Sequence, residues 1–201
     1  RAAVRAKIGL DQAHWCISGA APASPEVLQY FADLGMPVNE GWGMSEVSGL
    51  GTINPMSDIR FGTVGRALPG VEVKLDRDGE FLLRAPLVMK GYRNDPARTA
   101  EAIDPDGWLH TGDIAQIDGD GYITIVDRKK EIIINAAGKN MSPANIELRL
   151  RASSPLVAFA VCVGDRRPYN VALLVLDPET SPRWAAERGL VAIIQSSDPI
   201  T

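Results

Sequence analysis

The strongest constraint on the fold is a compact β-α-β pattern between residues 15 and 46. Trp15-Cys16-Ile17-Ser18 is a short apolar run that reads as a buried strand, and Gly19-Ala20-Ala21-Pro22 breaks it. Ser24 reads as an N-cap with Pro25 at the first helical position. Val27, Leu28, Phe31 and Leu34 recur on one face at helical spacing, and Gly35 reads as the stop. Val38 opens a second short strand, followed by Gly41-Trp42-Gly43-Met44-Ser45-Glu46. Two strands joined by a helical crossover run parallel. The loops 19–22 and 41–46 then leave the carboxyl ends of neighbouring strands, where open α/β sheets bind ligands. Parallel strands normally belong to larger sheets covered on both faces, so this unit reads as part of a bigger domain.

From about residue 62 the period changes. Val71, Val73 and Leu75 alternate with polar residues, Asp76-Arg77-Asp78-Gly79 is a turn, and Glu80 to Arg84 returns as a strand. A short helix is expected after Asp95-Pro96. Ile114 to Ile117 and Tyr122 to Val126 form a second hairpin across Gly119-Asp120-Gly121, so the middle region is antiparallel β. At Asp127-Arg128-Lys129-Lys130-Glu131 five charged residues separate two apolar segments; a solvated turn and an interdomain hinge both fit. Beyond them come a strand at Ile132 to Ile134, a helix from Ser142-Pro143 carrying Ile146 and Leu150, and apolar strands at Val157 to Val163 and Val171 to Leu176. That is a small α+β domain. After Asp177-Pro178 the pattern weakens, and residues 191–201 show no periodicity.

The chemistry of the hexapeptide suits a nucleotide. It offers a flat ring for a base, a hydroxyl donor for phosphate and a carboxylate for magnesium. Small glycine motifs are also common as plain turns. The totals exclude several other classes. With 201 residues, 45% apolar and 23% charged, the chain is an ordinary globular sequence. A net charge of −4 gives no footprint for nucleic acid or an anionic membrane. No run approaches a membrane span, and no secretory signal opens the chain, so the expected location is cytoplasmic. Cys16 and Cys162 lie in separate apolar runs and read as buried reduced thiols. His14 and His110 are far apart, which argues against zinc or a Cys-His nucleophile.

The order of motifs resembles the adenylate-forming ligases, in particular the long-chain fatty acyl-CoA synthetases. The matching pieces are Ser18 to Pro22, Gly41 to Glu46, Val88-Met89-Lys90-Gly91-Tyr92, Gly107-Trp108-Leu109-His110-Thr111-Gly112-Asp113, and Asp127 to Glu131 running on to Gly138-Lys139-Asn140. Several motifs in family order are far more specific than any one alone. The likeness covers about residues 1 to 180. It implies an α/β fold: part of the family's large domain (1–128, the β-α-β unit plus the antiparallel region), part of a small α+β carboxyl-terminal domain (129–190), and an unassigned tail (191–201).

The resemblance further implies activation of a fatty acid with ATP to an acyl-adenylate, then transfer to coenzyme A. Trp42 would stack on adenine opposite the backbone of Gly19, Ala20 and Ala21, with Gly41 beside it. Ser45 would donate to phosphate and Glu46 would hold Mg2+. Asp113 would accept the ribose hydroxyls, Arg128 would reach ribose or phosphate, and Lys130 would be the hinge. His110 reads as a structural hydrogen bonder, and Tyr92 and Trp108 as core rings. The family more often has Tyr at the position of Trp42 and Thr at that of Ser45. Its Gly/Ser/Thr-rich phosphate loop and its late lysine have no counterpart in these residues. The expectation is therefore a truncated chain, incomplete or inactive alone. A portion of another acyl- or aryl-CoA ligase, or a silent remnant binding nucleotide weakly or a partner, remain alternatives. Unpaired sheet edges would favour self-association.

Overall fold

The computed structural model of the protein describes residues 1–134 and 140–190. The chain divides into two compact units, Arg1–Lys130 and Glu131–Thr201.

The first unit opens with helix α1 (Ala2–Lys7). Strand β1 (Cys16–Ser18), helix α2 (Pro25–Asp33) and strand β2 (Val38–Trp42) then form the expected crossover, with Cys16, Ile17 and Ser18 pairing parallel to Val38, Asn39 and Glu40. A 3-10 turn (Ser45–Val47) follows. Strands β3 (Thr52–Ile53) and β4 (Arg66–Ala67) add antiparallel neighbours, giving a mixed sheet in the order β1-β2-β3-β4. Two expectations need correction here. Strand β2 runs through Gly41 and Trp42 because they pair with Ile53 and Thr52, so the loop expected at 41–46 begins at Gly43. Strand β1 is not buried: it lies at the sheet edge, with Trp15 48% and Ile17 44% exposed and Cys16 only partly covered.

Ser24 holds the N-cap position of α2 in extended conformation with Pro25 next, its hydroxyl donating to the Glu26 carboxylate rather than accepting from a helix N–H, and Gly35 ends the helix at φ +77°. Leu28 is the residue of the helix that is fully buried; Val27 turns to solvent.

The second sheet is antiparallel, in the order β5 (Glu72–Leu75), β6 (Glu80–Arg84), β7 (Leu109–Ile117), β8 (Ile123–Arg128), with helix α3 (Pro96–Ala102) between β6 and β7. Asp95 caps α3 by accepting from the Arg98 N–H. Strand β7 is longer than the expected Ile114 to Ile117 and carries His110 to Asp113 within it. Phe81, Leu83, Leu109 and Ile123 of this sheet are fully buried, and Trp42 and Val47 join them in one core. Burying such side chains stabilises a fold by about 1.5–3 kcal/mol each.

The second unit holds strands β9 (Ile133–Ile134) and β10 (Asn140–Met141), paired antiparallel, then helix α4 (Pro143–Ser153). Strands β11 (Val157–Val163) and β12 (Val171–Leu176) form a hairpin, and helix α5 (Thr180–Glu187) follows. Ser142 accepts from Asn145 N–H as an N-cap, and Glu147 of α4 accepts from the Cys162 N–H of β11 at 2.7 Å. The helix α5 lies where the sequence pattern weakens. Gly138, Lys139 and the tail 191–201 lie outside the described residues.

Candidate functional site

Parallel pairing of β1 and β2 sets two loops side by side. A side chain at Gly19 would bring its Cβ to 3.0 Å from the Gly41 carbonyl oxygen, so glycine permits the close approach. Ala20 follows with φ +66°, a left-handed conformation that alanine rarely adopts, and Gly19, Ala20 and Ala21 are all exposed.

Three expected residues meet through direct bonds. Asp113 is only 3% exposed. Its Oδ2 accepts from Trp42 Nε1 at 2.7 Å, and its Oδ1 pairs with Arg128 Nε at 2.9 Å. Arg128 is opposite Asp113 in the β7–β8 ladder. Gly112 has φ +73°, and the register shifts between Ile114 and Ala115. A glycine-bearing irregularity of this kind bends a strand and re-aims the next side chain, here toward Trp42. Burial pushes the Asp113 carboxyl above the usual aspartate range, while the Trp42 N–H and the Arg128 guanidinium pull against that rise. The Trp42 ring is 8% exposed and meets Phe81 edge to face at 4.9 Å.

Ser45 and Glu46 stand on the 3-10 turn after β2. Ser45 is exposed. Glu46 Oε1 accepts from the Tyr92 hydroxyl at 2.7 Å, and its carbonyl accepts from the Met89 N–H at 2.8 Å. Oε2 keeps no partner among the described residues, so a hard oxygen is available to a cation such as Mg2+. Tyr92 is therefore more than a core ring: it orients Glu46. Trp108 lies under Lys74 at 4.0 Å and Arg84 at 4.6 Å, as a surface cation–π partner. Lys130 lies exposed in the turn after β8, away from these bonds.

Sequence reasoning missed a second cluster. Glu80, 6% exposed, receives Lys129 Nζ at 2.9 Å, the Gly112 N–H at 3.0 Å and His110 Nδ1 at 3.3 Å. Lys129 also pairs with Asp78 at 2.5 Å, and its N–H donates to the Gly112 carbonyl at 2.8 Å. Burial raises the Glu80 carboxyl, but these donors hold it below the ordinary glutamate value, and the two carboxylates hold Lys129 above the usual lysine value. His110 is thus a structural hydrogen bonder. Asp76, Glu80 and His110 place ligand atoms within 4.8 Å of one another, but the Lys129 ammonium already supplies the positive charge there. The readable signal was a charged residue, Glu80, directly before the apolar run Phe81-Leu82-Leu83.

Comparisons with known proteins identify the family and the fold. The AMP-binding enzyme family profile matches residues 3–93, and the profile of the AMP-binding enzyme C-terminal domain matches residues 130–197. A Mycobacterium tuberculosis protein bearing the fatty-acid–CoA ligase name fadD11 is 56% identical over 189 residues, covering 94% of this chain and 33% of the relative. Long-chain-fatty-acid–CoA ligase FadD15 of Mycobacterium bovis is 43% identical over 168 residues, 84% of this chain and 28% of that protein. The chain thus spans about a third of the length of these relatives. Among solved structures, O-succinylbenzoate coenzyme A synthetase from Bacillus subtilis in complex with AMP superposes with a TM-score of 0.70 at 30% identity, covering 87% of this chain and 39% of that one. The same enzyme in complex with ATP and magnesium ion gives a TM-score of 0.71 at 27% identity, covering 90% and 43%. Among the described residues no helix is long and apolar enough to cross a membrane.

Proposed function

This chain belongs to the AMP-binding enzyme family, and from that premise we propose that it is the nucleotide-holding portion of a fatty-acid–CoA ligase. The whole protein would join a fatty acid to ATP as an acyl-adenylate, releasing pyrophosphate, and pass the acyl group to the thiol of coenzyme A. The observation that carries the reading is the buried Asp113 carboxylate, held on both oxygens by Trp42 and Arg128.

In this reading residues 1–128 belong to the large domain and 129–190 to the small one. Each Asp113 oxygen keeps a second lone pair, which suits a ribose diol. The adenine packs against the exposed Gly19–Ala21 backbone beside Gly41, while Trp42, 8% exposed, offers it an edge rather than a full face. Ser45 donates to phosphate, and Arg128 reaches ribose or phosphate. Glu46 fits Mg2+ through its unpartnered Oε2, with Tyr92 fixing the other oxygen. The bound ion would neutralise charge building up on the phosphates. Unpaired Cys16 and Cys162 suit a reducing cytoplasm.

Calorimetry on the 201-residue chain tests this. The expected result in the absence of Mg2+ is measurable binding of AMP and ATP with equal affinity, since none of the side-chain contacts reads the γ-phosphate. Absence of binding by the folded chain would refute the reading.

Lys130 serves as the pivot between the two units. It is exposed in a turn, whereas the neighbouring Lys129 side chain is tied to Asp78 and Glu80. Trypsin at low dose is therefore expected to cut first after Lys130, because linkers are exposed and cross few contacts. First cuts between residues 142 and 163, mapped by mass spectrometry, would put the pivot elsewhere.

A further inference from the structure

We propose that Trp42 is a positioning residue whose indole N–H fixes the Asp113 carboxylate for a ribose diol, an inference that rests on the nucleotide reading above.

An indole carries a single donor and no acceptor, so its one N–H can serve one partner well. Here it is aimed by packing on two sides. Phe81 meets the ring edge to face at 4.9 Å with planes at 84°. On another side the Gly51 backbone packs close to the indole: a Cβ there would come to 3.0 Å from Trp42 Cζ3. The result is a bond of 2.7 Å from Nε1 to Asp113 Oδ2 across 71 residues of sequence. The other partner of Asp113 is less confined: the Arg128 side chain is 52% exposed at the end of β8. Of the two groups gripping the carboxylate, the buried indole is the fixed one.

The bond also joins two strands from different sheets. Trp42 ends β2, three residues before Ser45 opens the turn that carries Glu46, and Asp113 lies in β7. A nucleotide held by both segments needs their separation set before it arrives, and preorganisation of that kind favours binding. Phenylalanine at 42 would keep an aromatic ring but carry no N–H.

The charged groups facing Asp113 are Arg128 and Asp127 of β8 and Glu80 of β6. Asp127 and Glu80 disfavour its charge; Arg128 and the Trp42 N–H favour it. Removing the N–H therefore leaves a carboxylate that protonates more readily, and nucleotide binding would fail at a higher pH than in the parent.

The test compares the full 201-residue chain with Trp42→Phe and Phe81→Leu. AMP binding is followed by calorimetry from neutrality down to about pH 4, the ordinary aspartate range. Trp42→Phe is expected to bind AMP about tenfold more weakly at neutrality, the loss of one hydrogen bond to a charged acceptor. Its acid limb should move to higher pH. Phe81→Leu loosens the ring packing but keeps the N–H, and should move the acid limb less than Trp42→Phe does. An unmoved limb and parental affinity in Trp42→Phe overturn the inference and leave the nucleotide reading intact. Failure of the parent itself to bind AMP overturns both. Should Trp42→Phe not fold, the parent's indole Nε1–H signals decide by NMR. One signal protected from solvent and moved by AMP supports the bond, and four freely exchanging indoles overturn it.

Discussion

Replacing Asp113 by alanine is expected to abolish nucleotide binding. Hydrogen bonds to a charged group contribute about 1.5–3 kcal/mol each, and Asp113 offers two oxygens to a diol. Their joint loss corresponds to about a hundredfold or more in affinity. Ser45→Ala should weaken AMP binding far less than Asp113→Ala, because it removes one neutral hydroxyl donor on an exposed turn. Asp113→Asn keeps the shape but loses the charge and one acceptor, and should fall between the two. The pH dependence follows from the direction of the Asp113 shift. Binding needs the ionised carboxylate, and burial has raised its pKa above the usual value. Affinity is therefore complete above the raised pKa and lost as pH falls through it, earlier than for an ordinary aspartate near ~3.9. Fold stability takes the opposite sign. Protonated Asp113 favours the folded state at low pH, and that contribution disappears as pH rises through the folded value. Calorimetry on the parent, Asp113→Ala, Asp113→Asn and Ser45→Ala reads all of these. Retention of parental AMP affinity by Asp113→Ala would remove the ribose role.

The β-α-β unit was legible because every boundary carries its own signal. Pro25 starts α2, Gly35 ends it, and the apolar runs on either side are too short for helices. The hairpin turns at Asp76–Gly79 and Asp118–Gly121 were legible for the same reason. The two-residue strands β3 and β4 were not, since two residues cannot show a period. They nevertheless decide where β2 ends, and so why Trp42 belongs to a strand rather than a loop. Strand β7 was read too short because Gly112 looks like a turn former. In the structure its φ of +73° is absorbed inside the strand. Helix α5 begins after Asp177 accepts from the Thr180 N–H at 2.7 Å, a capping signal that Asp177-Pro178 masked as a plain break.

Among the site residues, chemistry was legible and partnership was not. Asp113 and Arg128 belong to separate motifs, and the β7–β8 register makes them neighbours. Nothing local in the sequence indicates that Trp42 would spend its N–H on Asp113, or that the Tyr92 hydroxyl would reach Glu46. Those contacts depend on long-range pairing. Glu80 was missed for a related reason. A glutamate after Asp-Gly reads as the rim of a turn, and its burial is tolerable only because Lys129, His110 and the Gly112 N–H converge on it.

Gly43→Ala is expected to destroy the turn that presents Ser45 and Glu46. A Cβ at Gly43 would lie 1.6 Å from the Gly49 carbonyl oxygen and 2.5 Å from its carbon. Both contacts are with backbone, so no side chain can rotate away. The turn is closed by hydrogen bonds on either side of that contact: Gly49 N–H to the Met44 carbonyl at 3.1 Å, and Gly51 N–H to the Trp42 carbonyl at 2.9 Å. Val47, fully buried, anchors the turn to the core. Accommodating the methyl therefore means breaking those bonds or withdrawing Val47, a loss of about 3 kcal/mol or more. Gly49→Ala makes the informative contrast. Gly49 has φ +111°, yet a Cβ there meets nothing within 4 Å, so its cost is conformational strain alone, about 1–3 kcal/mol. If close approach is what Gly43 provides, Gly43→Ala should lower the denaturant midpoint more than Gly49→Ala. It should also lose AMP binding under conditions where Gly49→Ala remains folded and still binds. Parental midpoint and AMP affinity in Gly43→Ala would mean that the turn moves freely and that its glycine is not required by the contact with Gly49.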